Sequence, residues 1–83
     1  MNAVPVTLCF DFGNTRLKCA VFAGKDLQEV VVMENDAPST VRQLLDSYAP
    51  QKTILSSVIE HNTASEDILK KETQYHRLDH LSK

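Results

Sequence analysis

Asp11-Phe12-Gly13-Asn14-Thr15-Arg16-Leu17-Lys18 holds, within eight residues, the groups that a magnesium-bound phosphate needs. An aspartate at the end of a strand can hold Mg²⁺ directly or through water. A tip of Gly, Asn and Thr exposes backbone N–H groups and short polar side chains, which form an anion-binding hollow without a helix N-terminus. Lys18 adds a positive charge for phosphate oxygens. Phosphoryl transfer depends chiefly on such positioning and charge neutralisation. The same residue types also make an ordinary hairpin turn.

What must hold these groups is a pair of strands. Val6 to Asp11 and Leu17 to Phe22 read as the two arms, with Gly13-Asn14-Thr15-Arg16 as a four-residue loop. That register opposes Phe12 to Leu17, Asp11 to Lys18, Phe10 to Cys19, Cys9 to Ala20 and Leu8 to Val21. Leu8, Phe10, Phe12, Leu17, Cys19 and Val21 then share one face, and Asp11 meets Lys18 on the other. A slip of one residue would put Lys18 on the apolar face. The register also sets Cys9 and Cys19 on opposite faces, where no disulfide closes, so both are expected to be buried free thiols.

Leu27 to Met33 reads as a third strand, reached through Ala23-Gly24-Lys25-Asp26, where glycine suits a positive φ. The period then changes. Val41, Leu44, Leu45 and Tyr48 recur at helical spacing behind Pro38, Thr40 with Gln43 has the form of a capping box, and Pro50 ends the run. Thr53 to Ile59 suits a buried strand. Thr63 with Glu66 suggests a second capping box, opening a helix to about Lys71 whose core side is Ala64, Ile68 and Leu69. Tyr75 to Leu78 reads as the last strand. The order β-β-β-α-β-α-β describes an α/β domain with a mixed sheet, antiparallel at its start and parallel where helices connect the strands.

The chain has 83 residues, 42% hydrophobic and 24% charged, with a net charge of −2. That composition is globular, and the size is near the limit for a self-sufficient core. Lys and Arg are scattered, which disfavours nucleic acid. The opening residues lack a basic region and an unbroken apolar run, and no stretch reaches the roughly 20 apolar residues of a membrane helix, so a cytoplasmic protein with no membrane partner is expected. His76 and His80, with His61 and Asp79, lack the spacing of a metal set and are read as surface residues. Ser56 and Ser57 have no activating base; at a strand end beside the hairpin they either pack or bond a phosphate or its water.

The run D-F-G-N-T-R-L-K resembles the first phosphate-binding motif of the acetate and sugar kinase, heat-shock chaperone and actin superfamily. More narrowly it resembles the N-terminal signature of type III pantothenate kinase, with Ser56-Ser57-Val58 and the segment from His76 as weaker supports. The resemblance spans essentially the whole chain and implies a ribonuclease-H-like (actin-like ATPase) domain with a five-stranded mixed sheet in the order 3-2-1-4-5. It implies transfer of the γ-phosphate of ATP to the primary hydroxyl of pantothenate, the first step towards coenzyme A, in a homodimer. Mg²⁺ and a monovalent cation, K⁺ or NH₄⁺, would serve as cofactors.

On that pattern Asp11 serves the metal, while Gly13, Asn14, Thr15 and Lys18 line the phosphate path. Phe12 and Leu17 support the segment from the core, and Arg16 is a loop residue without an assigned role. The catalytic acid, the pantothenate contacts, the monovalent-cation site and the adenine segment of that family have no counterpart in residues 1–83. The chain is therefore expected to be an incomplete first domain, with no catalytic residue of its own and no kinase activity alone. The alternatives are another small-molecule kinase of the superfamily, for a sugar or acetate, and a non-catalytic nucleotide-binding regulatory module.

Overall fold

A computed structural model describes residues 4–13, 16–57 and 63–78, with the backbone alone at Ser57. Seven elements follow in the expected order: β1 (Val6–Phe12), β2 (Leu17–Ala23), β3 (Asp26–Met33), α1 (Pro38–Tyr48), β4 (Lys52–Ser57), α2 (Thr63–Glu72) and β5 (Gln74–Leu78). The strands form one mixed sheet ordered β3-β2-β1-β4-β5. β1 pairs antiparallel with β2 and β2 with β3, while β1 with β4 and β4 with β5 run parallel. Two-residue and four-residue turns permit the antiparallel pairs; each parallel pair needs a helix to carry the chain back.

The register of the first hairpin is the one that sorts apolar from charged residues, with Asp11 opposite Lys18 and Phe10 opposite Cys19. Leu8, Phe10, Phe12, Cys19, Val21, Met33 and Leu55 are buried under Val41 and Leu45 of α1 and Leu69 of α2, with Leu17, Val31, Leu44 and Ile68 partly buried around them. Alternation thus places one sheet face against both helices. Thr53 is fully buried in this layer, but its hydroxyl bonds that of Thr73 at 2.7 Å, and Thr73 donates to the Leu69 carbonyl at 2.8 Å. A buried hydroxyl with such partners is not a penalty.

Both capping boxes need correction. α1 starts two residues before Thr40, at Pro38, because proline fits a first turn whose N–H groups have no helical partner. The Asn35 side chain organises that turn instead, accepting the Ala37 N–H at 3.0 Å and the Thr40 hydroxyl at 2.6 Å. Ala49, at φ 47°, ends the helix and returns its N–H to Leu45 at 2.8 Å.

In α2, Thr63 is already helical, and the buried side is Ser65, Glu66 and Leu69 while Ala64 is exposed. Polar tethers set this rotation. Ser65 donates to the Asp36 carbonyl, and Glu66 accepts the Tyr75 hydroxyl at 2.6 Å with the Arg77 guanidinium 3.7 Å away. The Tyr75 hydroxyl is pushed up by burial first and by Glu66 second. Glu72 forms a two-pronged pair with Arg42 of α1 at 2.8 and 2.6 Å, and this holds its carboxyl below the usual range.

Both cysteines are free. Only Cys19 is fully buried; Cys9, on the other sheet face, is half-buried, which corrects the expectation of two buried thiols. Burial, and secondarily Cys9, pushes the Cys19 thiol from an ordinary 9.0 up to about 12. A thiol that stays protonated when folded but ionises when unfolded favours folding at lower pH. Its contribution is intact below about pH 9 and is lost as pH rises towards 12, with a slope of at most about 1.4 kcal/mol per pH unit. Denaturant titrations at pH 8 to 10.5 should therefore show a steeper alkaline loss of stability for the natural chain than for Cys19→Ala. Equal slopes would contradict the burial of this thiol.

Candidate functional site

The site is assembled by two strand pairings that meet on β1. Asp11 lies opposite Lys18 of β2 on one side and Ser56 of β4 on the other. Lys18 in turn neighbours Val32, and Ser56 neighbours Leu78. One transverse row, Val32-Lys18-Asp11-Ser56-Leu78, therefore crosses the sheet on the face away from the helices. Directly opposed side chains of an antiparallel pair start about 4.5–5.5 Å apart at Cβ, which makes Asp11 and Lys18 neighbours beside the hairpin, with Ser56 in register with Asp11 on the parallel side. Asp11 and Lys18 are exposed and Ser56 half-buried. The row sits at the carboxyl ends of the parallel strands β1 and β4, where ligands of open α/β sheets bind.

The loop is closed by a backbone bond from Gly13 N–H to the Arg16 carbonyl, 2.9 Å. That bond is what Arg16 contributes to the turn; its side chain is exposed. Phe12 is buried and Leu17 half-buried on the core face, so they anchor both ends of the hairpin tip. Asn14 and Thr15 lie outside the described residues, as do His61, Asp79 and His80. Ser57 is aligned with Phe12 rather than Asp11, which puts it on the alternate position of β4 from Ser56.

The two glycines differ. Gly24 has φ +63°, and a Cβ there would approach Val4 Cγ1 at 3.3 Å, so glycine is required by the backbone itself. Among the described residues, a Cβ at Gly13 would meet the Arg16 carbonyl oxygen at 3.5 Å, an ordinary contact, with no left-handed φ. None of the described residues excludes a side chain there. Gly24→Ala should cost about 1 kcal/mol, whereas Gly13→Ala should change stability by no more than about 0.5 kcal/mol, and only a bound phosphate at the hairpin would make the added methyl felt. Denaturation and phosphate titration of the two variants check this; a Gly13→Ala chain that unfolds early would make that glycine structural.

Among the described residues, no three or more His, Cys, Asp or Glu side chains gather as a metal set. Asp11 is a single carboxylate. That suits Mg²⁺, which commonly takes one or two protein carboxylates and completes its shell with waters and phosphate oxygens. A shallow cleft of about 400 Å³ lined by Lys52, Ile54, Gln74, Tyr75 and His76 lies further back along β4 and β5, away from the Asp11 row. It contains no carboxylate and does not extend the site. Comparison with protein-family models and with curated proteins gave no match to this chain. Among the described residues no helix is long and apolar enough to cross a membrane.

Proposed function

We propose that this chain is the phosphate-binding domain of an ATP-dependent small-molecule kinase of the acetate and sugar kinase, heat-shock chaperone and actin superfamily, with a ribonuclease-H-like fold. Within that class the motif favours type III pantothenate kinase, which phosphorylates the primary hydroxyl of pantothenate. The observation that carries the reading is the row Lys18-Asp11-Ser56 beside a hairpin closed from Gly13 to Arg16. The strand order β3-β2-β1-β4-β5 supports it, since it puts the hairpin at the centre of the sheet with a parallel neighbour.

In this reading Asp11 holds Mg²⁺, Lys18 neutralises phosphate oxygens, and Ser56 bonds a phosphate or its water. Gly13, with Asn14 and Thr15, lines the path of the transferred group. The pantothenate oxygen displaces ADP from the γ-phosphorus and loses its proton to an acid-base group outside residues 1–83. Pantothenate, the monovalent cation and the subunit partner also contact parts of the enzyme beyond this domain.

Titration of the ¹⁵N-labelled chain with a non-hydrolysable ATP analogue and Mg²⁺ tests the site. Shifts should centre on residues 11–18 and Ser56, and a spectrum without changes there would remove the proposal. Assays of the same chain with ATP, Mg²⁺ and pantothenate, a sugar or acetate, with and without K⁺, should give no turnover. Phosphorylated pantothenate would overturn the division into two domains, and phosphorylated sugar or acetate would overturn the substrate.

A further inference from the structure

The sheet ends on two edge strands, β3 and β5, and they are not alike. On β3 the pairing slips at Gln28, since Val21 opposes Glu29 while Phe22 opposes Leu27. A bulge of this kind, with Asp26 and Glu29 on the same strand, guards an edge against pairing with another chain. β5 pairs with β4 in unbroken register from Gln74 to Leu78, without a bulge or a proline, and among the described residues no strand lies on its outer side. The N–H and C=O groups along that side are a template for one further strand.

The side chains around β5 say what that strand should carry. Alternation sends Gln74, His76 and Leu78 to the face away from the helices, and Tyr75 and Arg77 towards α2, where Arg77 stands 3.7 Å from Glu66 with its own side chain 54% exposed. On the first face lies the cleft of about 400 Å³ lined by Lys52, Ile54, Gln74, Tyr75 and His76. Lys52 is opposite Gln74 and Ile54 opposite His76, so an ammonium, an amide and an imidazole surround one apolar side chain, with no acid among them. Neither β5 nor β4 contains an acidic residue. A strand laid along β5 would bring every second side chain beside Gln74 and His76 at about 4.8 Å, and Lys52, one strand further, is within the joint reach of a lysine and a glutamate.

We infer that the outer edge of β5 takes an extended acidic peptide of a partner protein as a sixth strand, its alternate carboxylates facing Lys52 and His76. Main-chain hydrogen bonds supply the affinity in this mode, and the alternate side chains supply the selectivity. Leu78, exposed at the end of β5, adds an apolar contact. β4 separates this edge from Asp11, and β4 and β1 separate it from Lys18, so the peptide leaves both open. The inference is independent of nucleotide binding, and its test omits nucleotide.

The probes are the acetylated, amidated peptide Thr-Glu-Val-Glu-Val-Glu-Thr and the same peptide with lysine for glutamate. Added to the ¹⁵N-labelled chain, the acidic peptide should shift the amides of β5 and saturate with a Kd on the order of 0.1–1 mM, as a small interface implies. The lysine peptide should bind about tenfold more weakly, and the joint change Lys52→Glu with His76→Glu should reverse that preference. Methylating the amide nitrogens of the acidic peptide at even or at odd positions separates strand pairing from loose charge contact, because only the set that faces β5 should lose binding. The spectrum of each variant verifies its fold. A β5 that does not respond to the acidic peptide overturns the proposal, as do equal binding of the two peptides and binding indifferent to both methylated sets. Shifts at β5 on concentrating the chain alone would also overturn it, since a second copy would then be the occupant.

Discussion

Asp11→Asn is expected to remove the magnesium-dependent part of nucleotide binding, a loss of at least tenfold or about 1.4 kcal/mol, while the fold persists. The carboxylate is exposed and lies on the face away from the core, so its exchange for an amide of the same shape should shift stability by no more than about 0.5 kcal/mol. The amide lacks the negative charge by which Asp11, between Lys18 and Ser56, would hold Mg²⁺ under the proposed function. Calorimetric titration with the ATP analogue, with Mg²⁺ and with EDTA, separates the two contributions. The natural chain should bind more tightly with Mg²⁺, and the variant should show one affinity in both. A variant that keeps the magnesium effect would remove Asp11 from the metal site and leave the hairpin as a turn.

Phe10→Ala should have the largest effect on stability. Phe10 is 1% exposed in the middle of the central strand, with its ring edge-on to Phe12 at 6.1 Å between centroids and 71° between planes. Truncating a buried Phe costs about 3–5 kcal/mol through lost burial and the cavity left behind. A domain of this length has roughly 4–12 kcal/mol in total at about 0.05–0.15 kcal/mol per residue. The variant should therefore be partly unfolded at 25 °C or lose a large part of its urea midpoint. Val32→Ala, on the exposed face, should change the midpoint by less than about 1 kcal/mol. The contrast tests the register, because a slip of one residue on β1 would exchange the buried and exposed sets.

The two predictions together separate what holds the domain from what it does. Phe10 and Asp11 are adjacent in sequence, yet alternation sends one into the helix-covered layer and the other into the row with Lys18 and Ser56. A strand is the only element that gives neighbouring residues such opposite duties.

The sequence by itself determined the elements, the hairpin register and the free state of both cysteines. Those follow from local quantities: period 2 against 3.6, loop length, and the pairing of Asp11 with Lys18 that only one alignment allows. It also singled out residues 11–18 as a candidate site, of which Asn14 and Thr15 lie outside the described residues. Local reasoning failed at the helix starts, because a capping box was read from residue types while Asn35, five residues before Thr40, supplies the bonds to that turn. It failed again on the buried side of α2, where Ser65 and Glu66 are turned inward by Asp36 and Tyr75, partners distant in sequence.

Only the tertiary structure decided that Ser56 lies in line with Asp11 while Ser57 is aligned with Phe12, since that depends on the parallel register between β1 and β4. It alone separated the two glycines, one required by its positive φ and the other without a left-handed φ. And it alone showed that, among the described residues, both helices pack on one side of the sheet, with Leu27, Val30, Val32 and Leu78 half exposed. Strand alternation says that a sheet has two faces; where the connecting helices cross decides which of them meets water.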